Sequence, residues 1–237
     1  MTNYRVERAR DPQDLARRAA ETIAAQIDLA LDQRDRCQIA LSGGRTPASA
    51  YSLLGQERLP WDRVDVVLGD ERWVAAEDES SNAGMLRRTL LAPGPGASAS
   101  FHPVPTVELE SPEASAHAFA EQVSRLCSGV PPVFDVMLLG LGDDGHTASL
   151  FPGTDAPTVV DRWTTIGRGK GLDRITLTAP VLSAARQVIF LVSGARKQEA
   201  LRRLLDPSES ADRTPARLVQ PASDVLILAD QDAAAGL

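Results

Sequence analysis

The sequence is poor in cysteine and histidine, which limits the kinds of site it can build. Its only cysteines, Cys37 and Cys127, lie far apart and lack the CxxC or Cys/His spacing of a metal site. We therefore interpret both as small buried apolar residues. Of the three histidines, His102 (in a loop) and His117 (on a helix surface) are interpreted as structural. This leaves His146 as the candidate for chemistry.

The sequence also lacks long apolar runs and any excess of positive charge. No run of about 18 apolar residues is present, and the first residues, MTNYRVERARD, contain no apolar core of a secretory signal. The formal net charge of −7 argues against sequence-independent binding to nucleic acid, which depends on cationic contacts to phosphate. These observations predict a cytoplasmic protein that binds neither nucleic acid nor a membrane.

What the sequence does contain is an alternation of helical and strand-like segments. Asp11 and Pro12 are typical of a helix start, and the apolar residues that follow recur every four positions up to Leu31. Thr46 as N-cap and Pro47 in the first turn predict a second helix. Residues 92–105 are rich in proline and glycine and are predicted to be a loop. Six apolar segments are predicted to be strands: QIAL, VDVVL, FDVMLL, RITLT, QVIFLV and DVLILAD.

The short, almost uniformly apolar strands are typical of a sheet that is buried on both faces. The pattern therefore predicts an α/β fold with a single open, largely parallel sheet flanked by helices on both faces, Rossmann-like in organisation. No repeat, low-complexity tail or convincing linker divides the chain. Residues 1–237 are accordingly expected to form one domain.

Four of the predicted strands are followed directly by chemically useful residues. In an open parallel sheet, ligands bind at the carboxyl ends of the strands, so these loops are expected to meet at one rim. The loops contribute Ser42, Gly43, Gly44, Arg45 and Thr46; Gly69, Asp70, Glu71 and Arg72; Gly140, Gly142, Asp144 and His146; and Ser193, Gly194, Arg196 and Lys197. Packing alone does not readily explain why all four loops carry such residues.

The first of these loops, SGGRT, suits a phosphate group. Glycines let the backbone approach a ligand closely, and the amides that open the next helix form a partly positive end. Lys197 opposes the dipole of its own helix, and a bound anion would offset that cost. The alternative interpretation is a tight turn before a capped helix, together with an ordinary surface lysine. The GK[ST] element of a Walker loop is absent.

The segment GLGDDG ahead of His146 satisfies the G-x-G-x-x-G pattern of dinucleotide sites, but its surroundings do not. Pro152 would end or kink the required helix seven residues after Gly145. Asp143 and Asp144 would also face the pyrophosphate. We therefore predict that these glycines form a tight turn that exposes His146.

Six motifs occur in the order found in one enzyme family: LSGGRTP, GDERWV with SNAGM, GLGDDGHTASLFPG, RITLT, VSGARK and PARLVQP. The similarity to that family covers about residues 10 to 230, and DGHTASLFPG is the most specific of the motifs. In these motifs the sequence resembles the bacterial-type 6-phosphogluconolactonases.

The resemblance implies hydrolysis of 6-phospho-D-glucono-1,5-lactone to 6-phospho-D-gluconate, the second step of the oxidative pentose phosphate pathway. It also implies a fold shared with glucosamine-6-phosphate deaminases, with no required cofactor and no metal. The expected partner is the small phosphorylated sugar lactone. A monomer or a weak homo-oligomer is expected.

Two alternatives remain open at this point. Glucosamine-6-phosphate deaminases resemble the chain in the glycine turn, in Asp70, in the DGH motif and in Lys197, but they carry a glutamate shortly after the histidine. Here no acid follows His146 before Asp155. A non-catalytic sugar-phosphate sensor would need a DNA-binding module, and only about 37 residues precede the first strand–loop motif. Departures from the lactonase pattern are minor: GRGKGLD lacks prolines, and VLILAD lacks a tryptophan.

The resemblance and the residue chemistry together predict roles for the rim residues. We expect His146 to be a general base held by a carboxylate, which is either Asp144 or Asp70. Asp70 alternatively holds substrate hydroxyls, and backbone amides near Gly142 are candidates for binding the oxyanion. The phosphate and sugar are expected to contact Ser42, Gly43, Gly44, Arg45, Thr46, Arg72 and Lys197.

Overall fold

The computed structural model describes residues 2–237, in which helices and strands alternate along the chain. In chain order the elements are β1 (Tyr4–Ala9), α1 (Pro12–Gln33), β2 (Cys37–Leu41), α2 (Arg45–Leu54), β3 (Val64–Leu68), β4 (Asp70–Arg72), α3 (Asn82–Arg88), β5 (Ser100–His102), α4 (Pro112–Leu126), β6 (Val136–Gly140), β7 (Thr164–Gly169), β8 (Leu172–Leu177), α5 (Ala179–Ala184), β9 (Gln187–Val192), α6 (Gln198–Leu205) and β10 (Val225–Asp230). Short 3₁₀ turns join several of them, including Ala195–Lys197 directly before α6.

Seven strands form the large sheet in the order β1-β10-β9-β6-β2-β3-β5, and every neighbouring pair is parallel. The predicted α/β class with a largely parallel sheet is confirmed. Because all seven strands run the same way, their carboxyl ends lie along one edge. The loops that follow β2, β3, β6 and β9 therefore leave the sheet on the same side.

A second sheet, which the sequence pattern does not reveal, is antiparallel and has the strand order β4-β8-β7. Its first strand follows β3 after the single residue Gly69, so it begins at the carboxyl edge of the large sheet. The RITLT segment belongs to β8 in this sheet. Its apolar residues are buried like those of the large sheet, which is why composition alone does not separate the two.

The first helix shows how local signals and burial act together. The Asp11 side chain accepts hydrogen bonds from the backbone amides of Gln13 and Asp14, which are otherwise unpaired at a helix start. The apolar stripe that includes Leu15, Ile23 and Ile27 is fully buried. This face of α1 packs against α2 and against β2, β6 and β10, so the core lies between helix and sheet.

Two local predictions were wrong, and one strand was missed. Helix α2 begins at Arg45, with Gly44 rather than Thr46 in the N-cap position, because the positive φ of Gly44 (117°) makes the turn. The predicted loop at 92–105 contains β5, a three-residue edge strand too short to show alternation. Strand β1, at the other edge, was not predicted because its charged residues hide its pattern.

The cysteines and the other two histidines lie outside the cleft described below. Cys37 and Cys127 are both buried and unpaired, and burial raises the pKa of each thiol to about 12. His102 lies in β5 rather than in a loop, with its Nε2 atom 2.9 Å from Oδ1 of the buried Asp65. His117 is exposed on α4.

Candidate active site

A cleft of about 710 Å³ opens at the carboxyl edge of the large sheet and is lined by residues of both sheets. Nine of the ten residues predicted from the sequence lie in its wall: Ser42, Gly43, Gly44, Arg45, Thr46, Asp70, Arg72, His146 and Lys197. The tenth, Asp144, contacts one of them directly. Segments far apart in the chain thus bring an imidazole, an ammonium group and a glycine-rich helix start into one cavity.

The His146 side chain is held by one carboxylate and one aromatic ring. Its Nδ1 atom lies 2.5 Å from Asp144 Oδ1, and the Phe151 ring packs against it with ring centres 4.5 Å apart. Burial and the charge of Lys170 together lower the pKa of His146 by more than Asp144 and Asp70 raise it. The imidazole is therefore neutral at neutral pH, with Nδ1–H donated to Asp144 and Nε2 available as a proton acceptor.

Asp70, the other candidate partner of the histidine, has different contacts. Its Oδ2 accepts a hydrogen bond of 2.5 Å from the Ser149 hydroxyl, and Arg174 Nη1 lies 3.8 Å from the same oxygen. The structure thus gives the contacts of both carboxylates, and which of them orients the histidine in catalysis stays a prediction. Asp144 touches the imidazole, and Asp70 presents a second carboxylate to the cleft.

Gly142 makes the contact between His146 and Asp144 sterically feasible. A Cβ atom at position 142 would overlap His146 Nδ1 and would lie 2.5 Å from Asp144 Oδ1. The Gly142 amide donates to the His146 carbonyl at 2.8 Å. The Gly142 amide itself is therefore already engaged, and binding of the oxyanion by backbone amides near Gly142 stays a prediction.

The glycine turn after β2 brings backbone close to the cleft. Gly44 adopts a positive φ of 117° immediately before α2 begins at Arg45, and the first residues of the helix, Arg45 and Thr46, line the cleft. Gly43 lies against the Asn82 side chain so closely that a Cβ atom there would overlap its amide oxygen. The buried Ser42 hydroxyl has no hydrogen-bond partner within residues 2–237.

Two arginines lie opposite each other on the small sheet. Arg72 of β4 pairs in register with Arg174 of β8, and both line the cleft. The Nε atom of each is buried and, within the described part of the chain, has no hydrogen-bond partner. Burial lowers the pKa of the Arg174 guanidinium, and the charge of Arg72 lowers it further. The two guanidinium groups place positive charge in the wall of the cleft.

Lys197 reaches the cleft from the 3₁₀ turn that follows β9. Gly194 starts this turn with a positive φ of 90°. The turn is fixed by the buried Asp230, which accepts hydrogen bonds from the Ser193 hydroxyl at 2.5 Å and from the Gly194 amide at 3.0 Å. The Lys197 ammonium lies 2.5 Å from Oδ1 of Asp143.

Residues 2–237 contain no group of three or more histidine, cysteine, aspartate or glutamate side chains arranged to hold a metal ion. Over the same range, no helix combines the length and the apolar character needed to cross a bilayer.

Comparison with known proteins decides the family. Residues 10–228 match the model of the family described as glucosamine-6-phosphate isomerases/6-phosphogluconolactonase. The chain belongs to this family. A 6-phosphogluconolactonase of Synechocystis sp. is 41% identical over 228 residues, which cover 95% of each chain. The enzyme of the same name from Pseudomonas aeruginosa is 36% identical over 85% of each chain.

Solved structures agree with the family assignment. A 6-phosphogluconolactonase from Shewanella baltica superposes with a TM-score of 0.86 at 28% identity, covering 97% of this chain and 98% of that one. The Trypanosoma brucei 6-phosphogluconolactonase gives a TM-score of 0.87 at 28% identity over all of both chains. A monomeric glucosamine-6-phosphate deaminase, at 22% identity and a TM-score of 0.81, shares the fold.

Within this family fold, the cleft of the present chain also contains Asn82, Lys170 and Arg174, which sequence reasoning did not place at the rim, and Arg196, which it placed there without a role. Asn82 and Arg174 stand inside the quoted motifs SNAGM and RITLT, and Arg196 stands beside Lys197, so a signal was present for three of them. Lys170 gives no such signal. It lies at the tip of the β7–β8 hairpin, which reaches the cleft only through the pairing of the small sheet.

Proposed function

We propose that this protein hydrolyses 6-phospho-D-glucono-1,5-lactone to 6-phospho-D-gluconate, the second step of the oxidative pentose phosphate pathway. The observation that carries the proposal is the 41% identity to the Synechocystis lactonase over 95% of both chains. The cleft supports it chemically, because a neutral imidazole and several cations line the same cavity.

In the proposed mechanism His146 is the general base. Nε2 takes a proton from a water molecule as the water oxygen attacks C1 of the lactone, and Asp144 holds the ring through Nδ1 and stabilises the imidazolium. The tetrahedral intermediate then collapses, the bond between C1 and the ring oxygen breaks, and the imidazolium returns its proton to that oxygen. The product is the open-chain acid, which ionises to the carboxylate.

The phosphate end is proposed to bind at the start of α2. The backbone amides of residues 42–46 and the side chains of Arg45, Arg72 and Lys197 supply the donors and the positive charge. Asp70 is proposed to accept hydrogen bonds from substrate hydroxyls, since its carboxylate contacts Ser149 and not the imidazole. Anchoring the far end of the substrate positions C1 for attack.

The proposal extends to the organisation of the protein. We treat residues 1–237 as one catalytic domain, because both sheets supply residues to the cleft. We also propose a cytoplasmic location, which suits a charged metabolite as substrate, and a monomer or weak homo-oligomer. No cofactor is required for the proposed steps.

The test compares two reactions on the same protein. Lactone hydrolysis is followed by a coupled assay for 6-phosphogluconate, with the spontaneous opening of the lactone subtracted, and ammonia release is followed with glucosamine 6-phosphate. We expect acceleration of the first reaction and no turnover in the second. Turnover of glucosamine 6-phosphate alone would overturn the proposal.

Lys197→Ala is expected to raise KM for the lactone by about ten-fold or more with a much smaller change in kcat, because the lysine holds a group remote from the reacting carbon. Steady-state kinetics measure the two constants separately. Arg202→Ala is the matched control, since Arg202 is an exposed cation of α6 that pairs with Glu199. An unchanged KM in Lys197→Ala contradicts the phosphate assignment.

A further inference from the structure

Lys197, one of the proposed phosphate-binding groups of the cleft, forms an ion pair with Asp143. Asp143 Oδ1 lies 2.5 Å from the Lys197 ammonium, a distance typical of a strong charge-assisted hydrogen bond. Neither the proposed proton transfer nor the positioning of His146 uses the Asp143 side chain. Its carboxylate therefore has no part in the chemistry described above.

The backbone that carries each partner of this ion pair is held in place, and the side chains are 26% exposed at Lys197 and 49% exposed at Asp143. The Asp143 carbonyl accepts a hydrogen bond of 3.3 Å from the largely buried Arg203, and the turn that carries Lys197 is fixed by Asp230. An ion pair between two freely moving surface side chains contributes little, because both side chains must be ordered to form it. Here the fold brings the two groups together before any ligand arrives.

The charges around Asp143 belong to the cleft. Burial raises the pKa of the Asp143 carboxyl, but the hydrogen bond and charge of Lys197, together with the charges of Arg196 and Lys170, lower it by more. All three cations line the cleft. An ionised carboxylate therefore lies among the cations that would attract the phosphate of a substrate.

We propose that Asp143 sets the affinity of the cleft for phosphate by holding Lys197 in the free protein, so that an incoming phosphate must compete with this carboxylate. The inference rests on the proposed role of Lys197 as a phosphate ligand. Substrate and product carry the same phosphate, so weaker binding of this group favours release of the product as much as it opposes capture of the substrate. Binding energy that is equal in the ground state and the transition state does not accelerate the chemical step.

The test is Asp143→Asn, which removes the charge and keeps the shape. We expect KM for the lactone, and the Kd of inorganic phosphate measured by calorimetry at fixed ionic strength, both to fall by roughly three- to ten-fold, while kcat stays within about two-fold. Glu199→Gln is the matched control, because it makes the same charge change near the site but its carboxylate contacts Arg202, not the ammonium. This control is expected to change both constants much less.

A second pair of variants tests whether the change in phosphate affinity depends on the ion pair. In a Lys197→Ala background, Asp143→Asn is expected to have no further effect on phosphate binding, since there is no ammonium left to release. A rise in KM or in the phosphate Kd of Asp143→Asn would show that the carboxylate orients the lysine for binding, and would overturn the inference. An effect equal to that of Glu199→Gln would also overturn it. A wild-type protein without lactonase activity refutes the proposed function, whereas the phosphate arm still tests the ion pair.

Discussion

His146→Ala is expected to lower kcat by about 10²-fold or more and to leave KM within a few-fold of the wild-type value. The variant removes the proposed proton acceptor and leaves the cationic side of the cleft intact. Binding of the phosphate therefore persists, while the attacking water loses its base. Steady-state kinetics on the lactone, corrected for spontaneous opening, provide the measurement.

The control for this variant is His117→Ala, because His117 is exposed on α4 and does not line the cleft. It is expected to keep wild-type constants. Unchanged turnover in His146→Ala would remove this residue from the chemistry. A loss that appears only in KM would assign it to substrate binding instead.

The direction of the His146 pKa predicts how activity depends on pH. A protonated imidazole cannot accept a proton, so kcat/KM is expected to fall as the pH drops through a pKa that burial lowers from the ordinary value of histidine. The hydrogen bond and charge of Asp144 raise this pKa, so Asp144→Asn should move the acidic limb to still lower pH and also lower the plateau. A pH profile of kcat/KM for both proteins checks the two shifts. An acidic limb above the ordinary pKa of histidine, or one that moves to higher pH in Asp144→Asn, would contradict them.

Much of the site could be predicted because strand ends converge in a parallel sheet. His146 and Lys197 follow β6 and β9, which are neighbours in the large sheet. Once the strands were identified, the meeting of their loops followed from the strand direction alone. The class of fold and the position of the candidate site therefore depend on local patterns that can be recognised in the sequence.

Other features depend on pairing between distant segments, which no local pattern encodes. Arg174 faces Arg72 only because β8 pairs with β4 in a particular register. The choice between Asp144 and Asp70 as partner of the histidine depends on the turn around Gly142, and both acids suit the role equally well by residue type. The ion pair of Asp143 with Lys197 likewise depends on how two loops pass each other.

Adding a methyl group at position 142 is expected to lower kcat about as strongly as removing the His146 imidazole. A Cβ atom there would lie 2.0 Å from His146 Nδ1 and 2.5 Å from Asp144 Oδ1. Real Cβ atoms essentially never come closer than 3.0 Å to such atoms. The ring cannot simply retreat, because Phe151 packs against it, and the backbone is held by the hydrogen bond from the Gly142 amide to the His146 carbonyl. The imidazole must therefore rotate away from Asp144.

Gly142→Ala is accordingly expected to lower kcat by about 10²-fold, since a displacement of about 1 Å at a reacting group has an effect of that order. Gly69→Ala is the matched control: the added methyl would meet its nearest atom outside the adjacent residues, the Leu41 carbonyl oxygen, at an ordinary 3.8 Å. Kinetics of both variants, with their thermal unfolding midpoints, separate a displaced imidazole from a general loss of stability. Wild-type turnover in Gly142→Ala would mean that the reaction does not need the imidazole to remain in contact with Asp144, and general base catalysis by an oriented His146 would then have to be abandoned.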